Sequence, residues 1–217
     1  MRIISAILDL LFPPKCIFCS KILSAGEYWC EDCAGSLLLT ADGGRQAGEF
    51  YEFCLAPLYY TGSVRKSVLR YKFRGARGYA DAYGKILASC IREHLDVEYD
   101  IISWVPLSRK RKRERGYDQA FLLASAVAEE LGQDVAETLT KPKNIGPQSE
   151  LKGKDERVEN ISGAYEVSDL QFIKNKCILI IDDIVTTGST LEECAKELIK
   201  GGAKKVVCAA LARGSQS

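Results

Sequence analysis

Two adjacent carboxylates, Asp182 and Asp183, stand between an apolar run, Ile178-Leu179-Ile180-Ile181, and a small polar run, Thr186-Thr187-Gly188-Ser189-Thr190. Together these types can bind a phosphorylated sugar. Backbone N–H groups at a helix start lack intrahelical partners, and the helix dipole makes that end partly positive. A turn of Thr, Gly and Ser that opens a helix lets the main chain close around a phosphate and adds hydroxyl donors. Gly188 supplies a conformation that a Cβ would resist. The carboxylates suit the hydroxyls of a ribose, or a Mg²⁺ bridging a ribose and a diphosphate. A nucleoside-triphosphate P-loop would need G-x-x-x-x-G-K-[ST], and the missing Lys argues against ATPase chemistry at this turn.

A second strand, Ile101 to Pro106, runs into a loop carrying Arg109, Lys110, Arg111, Lys112, Arg113 and Arg115, and then into a helix from Ala120 to Leu131. Ligands of open α/β sheets bind at the C-terminal ends of the strands. Arg109, Lys110, Arg113, Arg115 and Gly116 are therefore expected to form a diphosphate loop. Residues 141–160 are polar, contain Pro142, Gly146 and Pro147, and are long for an ordinary connection. They read as a flap over the site, with Gln148, Arg157 and Asn160 as contacts alongside Lys141 and Lys143.

The helix over Ser63 to Phe73 and the residues after it carry six basic residues and no acidic one. Lys72, Arg74 and, across the chain, Arg111 are candidates for contacting nucleic acid. Tyr71 and Phe73 suit base stacking or the buried side of the helix. A second helix spans Tyr79 to Leu95. His94, the sole histidine, lies at its end and reads as structural.

Cys16-x-x-Cys19 and Cys30-x-x-Cys33 place two thiolate pairs on tight turns, the pattern of a tetrahedral S₄ site for structural Zn²⁺. An iron–sulfur cluster takes the same ligands, and two disulfides remain an alternative in an oxidising compartment. The other cysteines, Cys54, Cys90, Cys177, Cys194 and Cys208, sit in apolar sequence and read as small buried hydrophobes.

These elements need a scaffold. The buried strand at 178–181, the 101–106 strand, the closing strand at 204–212 and the intervening helices predict an α/β protein. A parallel sheet flanked by helices follows a small zinc-ribbon-like module. Residues 1–50 divide into an amphipathic N-terminal helix, the metal module and a linker over 34–50; residues 51–217 form the α/β domain. With a net charge of +1, affinity for nucleic acid has to come from local patches. No apolar run is long enough to span a membrane, Asp9 and Pro13-Pro14 interrupt a signal-like start, and a cytoplasmic location is expected.

The run from Cys177 to Thr190 resembles the phosphoribosyl pyrophosphate (PRPP) motif of type I phosphoribosyltransferases. That resemblance implies that Asp182 and Asp183 hold the ribose and that Thr186 to Thr190 cradle the 5′-phosphate. With the four-cysteine module, Tyr71-Lys72-Phe73, Val105-Pro106-Leu107, Arg113-x-Arg115-Gly116-Tyr117-Asp118-Gln119, Gln148-x-x-Leu151 and Arg157-x-x-Asn160, the chain resembles the ComF (ComFC) family of phosphoribosyltransferase-like competence proteins. The family more often has Phe-Asn at Tyr117-Asp118. Asp118 adds a negative charge beside the diphosphate loop and is not expected to touch phosphate. The resemblance implies a role in natural transformation, beside single-stranded DNA and a helicase-like ATPase. Two readings stay open: a phosphoribosyl-transferring enzyme with an unidentified acceptor, or a non-catalytic nucleotide- or DNA-binding module of the import machinery.

Overall fold

A computed structural model describes residues 13–37, 39–142 and 163–214. The N-terminal helix expected over 1–12, and Lys143, Gln148, Arg157 and Asn160 of the expected flap, lie outside the described residues.

The central sheet is built on the longest apolar run. Strand β6 (Cys177–Val185) pairs in parallel with β7 (Lys205–Arg213) on one side and with β3 (Ile101–Trp104) on the other. Short strands β1 (Cys54–Leu55) and β2 (Leu58–Tyr59) pair in parallel with β7, giving the order β1-β7-β6-β3 with β2 beside β7. Ala56-Pro57 separates β1 from β2, and the missing N–H of proline accounts for the break. β4 (Leu139–Thr140) and β5 (Glu166–Val167) form a separate antiparallel pair, and two short helices, α1 (Glu31–Ser36) and α6 (Leu170–Ile173), precede β1 and β6 in the chain.

Side chains alternate across the sheet. Leu179 and Ile181 of β6, with Val207, Ala209 and Leu211 of β7, pack against α2 (Gly62–Phe73), α3 (Tyr79–His94) and α5 (Gln119–Leu131). Ile178, Ile180, Val206, Cys208 and Ala210 face α7 (Ser189–Lys200), through Leu191, Cys194, Ala195 and Leu198. Residues Ile178 to Ile181 have no exposed surface. Each such side chain contributes about 1.5–3 kcal/mol by leaving water.

Three features differ from the sequence reading. The strand does not end at the acidic pair: Ile184 and Val185 stay paired with Ala212 and Arg213, so both Asp residues lie within β6. The basic stretch is not a loop but a helix, α4 (Arg109–Arg115). Ser108 Oγ accepts the Arg111 N–H at its start, and Gly116 ends it in the left-handed conformation. Residues 39–48 are no free linker: Gln46 bridges to Cys54, and Gly43 and Gly44 are buried against the domain. A Cβ on Gly43 would come 2.7 Å from His94 Cδ2, which gives His94 a packing role.

Candidate phosphoribosyl site and zinc module

Because the strands are parallel, β3 and β6 both deliver their following segments to the same edge of the sheet. The last β6 residue paired with β3 is Ile181, so the acidic pair begins where β3 has ended and stands over that edge. Period-two alternation sends the two carboxylates to opposite faces. Asp183 turns toward α2, where its Oδ1 lies 2.7 Å from Lys72 Nζ; the two side chains are 5% and 17% exposed. Asp182 is half-buried on the α7 side, with Oδ1 accepting the Asp183 N–H at 2.7 Å. Burial, and then the adjacent Asp183 charge, push the Asp182 carboxyl above the ordinary carboxylate range.

The Thr186–Thr190 turn follows directly. Gly188 has φ 80° and leads into α7, where Glu192 N–H donates to its carbonyl. A Cβ at Gly188 would lie 3.0 Å from the Tyr51 hydroxyl, so the position needs glycine for both reasons. Thr187 Oγ1 and Ser189 Oγ are 2.9 Å apart, and Thr186 and Thr187 are exposed. Glu192 fixes the helix start by accepting the Glu49 and Phe50 N–H groups at 2.9 and 3.0 Å.

Across the edge, α4 presents Arg111 and Arg115 one turn apart, hence on one face. With Lys72, Phe73, Gly75 and Glu114 they line a cavity of about 410 Å³. The Arg115 guanidinium stacks 4.9 Å from the Phe73 ring, which is 64% exposed. Of the five expected diphosphate residues, only Arg115 lines this cavity; Arg109, Lys110 and Arg113 are exposed elsewhere on α4. Gly116 is the helix cap, and its carbonyl accepts from Arg77 at 2.7 Å. Of the three nucleic-acid candidates, Lys72 and Arg111 belong to this cavity, while Arg74 is exposed beside it. Tyr71 is fully buried and donates to the Gln119 carbonyl at 2.7 Å, so it is core and not a stacking platform.

Asp118 is a structural residue. Its Oδ1 accepts the Phe121 N–H at 3.2 Å, capping α5, and its Oδ2 accepts the Leu107 N–H at 3.3 Å. Four buried polar atoms make no hydrogen bond among the described residues: Asp183 Oδ2, Arg115 Nη1, the Tyr117 hydroxyl and Gln119 Oε1. Sequence reasoning missed the union of Lys72 with Asp183; the one available signal was a lysine flanked by aromatics in Tyr71-Lys72-Phe73.

The sulfur atoms of Cys16, Cys19, Cys30 and Cys33 all lie within 4.8 Å of one another, and Cys19 and Cys30 are 3.7 Å apart. A tetrahedral zinc with bonds of about 2.3 Å has ligand edges of about 3.8 Å, so the donor set fits that ion. Burial works against ionisation at Cys16, but the N–H groups of Cys19, Cys30 and Phe18 outweigh it and hold the thiol at about 6. Ile17 and Phe18, inside the first Cys pair, are buried in the main core. Arg70 of α2 donates to the carbonyls of Ile17 and Phe18 at 2.6 and 2.9 Å. Ser67 also donates to Ile17 and contacts the Tyr83 hydroxyl at 2.6 Å.

Residues 118–217 match the phosphoribosyl transferase domain family, and residues 7–48 match the double zinc ribbon domain. The fold and site thus define a type I phosphoribosyltransferase-like protein with an N-terminal zinc ribbon. The chain is 29% identical over 147 residues to competence protein ComFC of Bacillus subtilis, covering 66% of this chain and 56% of that protein. Competence protein F of Haemophilus influenzae is 35% identical over 112 residues, 50% of this chain and 48% of that protein. In domain order and in sequence the chain is similar to these proteins of the ComF family. It spans about half the length of these curated relatives. A solved glutamine PRPP amidotransferase from B. subtilis aligns with TM-score 0.43 and 21% identity, over 61% of this chain and 26% of that one. The zinc ribbon match and the four-cysteine geometry together support a structural zinc site, the one such cluster among the described residues.

Proposed function

We propose that the protein binds PRPP at the edge of the sheet where β6 ends. The carrying observation is the glycine-dependent Thr186–Thr190 turn at the head of α7, with Asp182 and Asp183 directly before it. The exposed threonines and the N–H groups of the turn suit the 5′-phosphate, and the carboxylates suit the ribose hydroxyls. Lys72, Arg111 and Arg115 offer three cations to the diphosphate. Mg²⁺ fits the hard oxygen donors: Asp183 Oδ2 makes no hydrogen bond among the described residues. Asp182, Asp183 and the ligand's own oxygens would hold it, and it would neutralise diphosphate charge. Departure of pyrophosphate from C1 calls for positioning and charge stabilisation, which this set supplies without a histidine.

Association with DNA uptake follows from the relatives, which are named competence and DNA utilization proteins. The exposed Arg109, Lys110, Lys112 and Arg113 favour a second reading, in which this face meets single-stranded DNA phosphates, beside a helicase-like ATPase. Four cysteines gathered for zinc and five further thiols suit a reducing, cytoplasmic setting.

The test is thermal unfolding with PRPP and Mg²⁺, followed by pyrophosphate release with a panel of bases and amines. Ligand at a hundredfold excess over Kd stabilises by about 2.7 kcal/mol. Release that depends on one acceptor and disappears in Asp183→Asn supports transfer. A stabilisation without release supports the binding module, and an unmoved midpoint refutes PRPP binding.

A further inference from the structure

Lys72 stands between two anionic demands. On one side it is bonded to Asp183 at 2.7 Å, in a pair almost closed to solvent. On the other it lines the cavity shared with Arg111 and Arg115, where, among the described residues, three cations face one carboxylate, Glu114. Among the described residues, Asp183 Oδ2 and Arg115 Nη1 are both buried and without a hydrogen bond, so each side of Lys72 holds a polar atom ready for a further partner.

We infer that Lys72 is a shared cation that couples the two halves of the site: an oxyanion of the diphosphate class entering the cavity draws the ammonium from Asp183, and the freed carboxylate then accepts sugar hydroxyls. This rests on the phosphoribosyl reading above and adds to it an order of events. Either half-ligand alone meets a cost. Pyrophosphate alone leaves Asp183 buried with its cation displaced. A sugar phosphate alone must compete with Lys72 for Asp183 Oδ1, keeping only Oδ2. When both are present, hydroxyl donors replace the ammonium at Asp183 and the ammonium is satisfied by phosphate oxygens. The two ligands therefore favour each other, and by linkage the factor is the same in both directions. Lys72 thus touches the diphosphate directly and acts on the sugar half of the site through Asp183.

The experiment uses the whole chain, without added Mg²⁺ so that no metal bridges the ligands. The affinity for ribose 5-phosphate is measured by calorimetry with and without saturating inorganic pyrophosphate. Pyrophosphate is expected to tighten ribose 5-phosphate by at least about 5-fold, the lower end of typical coupling between sites. In Lys72→Met the factor falls to about 1. Where that variant does not fold, Lys72→Met/Asp183→Asn removes both charges together and serves the same purpose, its readout being the ratio of affinities. Equal ribose 5-phosphate affinity with and without pyrophosphate in the unmodified chain overturns the coupling. An unchanged factor in a folded variant lacking Lys72 assigns the coupling elsewhere and overturns the role of Lys72. Absence of any ribose 5-phosphate or PRPP binding overturns the phosphoribosyl reading itself, and the coupling with it.

Discussion

Replacing Lys72 by Met keeps most of the side-chain length and removes the charge. Asp183, 5% exposed, is then left with a buried carboxylate and no cation at 2.7 Å. Breaking a buried ion pair from one side costs about 3–5 kcal/mol. Lys72 is 17% exposed, so some water reaches the pair and the lower end applies, about 3 kcal/mol. For a chain of this size each kcal/mol moves Tm by about 2–4 °C, which gives a fall of about 6–12 °C. The assay is thermal unfolding of the ligand-free protein, read by circular dichroism, for Lys72→Met, Asp183→Asn and the double variant. The double variant removes both charges and is expected to recover most of the loss, because no unpaired ion remains inside. A fall below about 2 °C for Lys72→Met, or a double variant no more stable than the single, refutes the reasoning that the pair is a buried, charge-compensated unit.

Three further outcomes are expected. The raised Asp182 carboxyl contributes stability that is fully present at low pH and lost as pH rises through its folded value, so Asp182→Asn should raise Tm more at about pH 8.5 than at about pH 5; equal shifts at the two values contradict this. Freshly purified, reduced protein should hold about one zinc per chain, and removing it with a chelator should lower Tm; a content well below one rejects the S₄ site. Asp118→Ala should cost about 2 kcal/mol, from the lost cap and the orphaned Leu107 N–H, without weakening pyrophosphate binding; a folded variant that loses pyrophosphate would make Asp118 a ligand contact.

Much of the fold was legible because it follows from local patterns. The apolar periodicity over 79–95 marks α3 to within a residue, and the uninterrupted Ile178–Ile181 run marks the central strand. The strand's true end is hidden because two adjacent charges resemble an end signal, whereas Ile184 and Val185 carry the pairing with β7 beyond the Asp pair. Like-charge crowding made 109–115 look like a loop. Ser108 and Gly116, a serine cap and a left-handed terminus, were the signals for a helix. At the site, the phosphate turn and its acids could be named from spacing alone. Which basic residue meets which acid could not, since Lys72 and Asp183 are joined by the packing of α2 across the sheet edge. Nor could spacing separate Arg111 from Arg109 and Arg113, because that depends on the helical face.

The carbonyls of Ile17 and Phe18, held by Ser67 and Arg70, make the module boundary in the chain a poor place to cut. Sequence similarity divides the protein into a ribbon and a transferase-like body, but energetically the seam runs through α2. A fragment beginning after the cysteines would expose the underside of that helix and leave Ser67 and Arg70 without their main-chain acceptors. The ribbon is thus better regarded as the missing half of a helix-packing interface than as an appended domain. Swapping ribbons between relatives should succeed only where the two main-chain acceptors and their helix travel together.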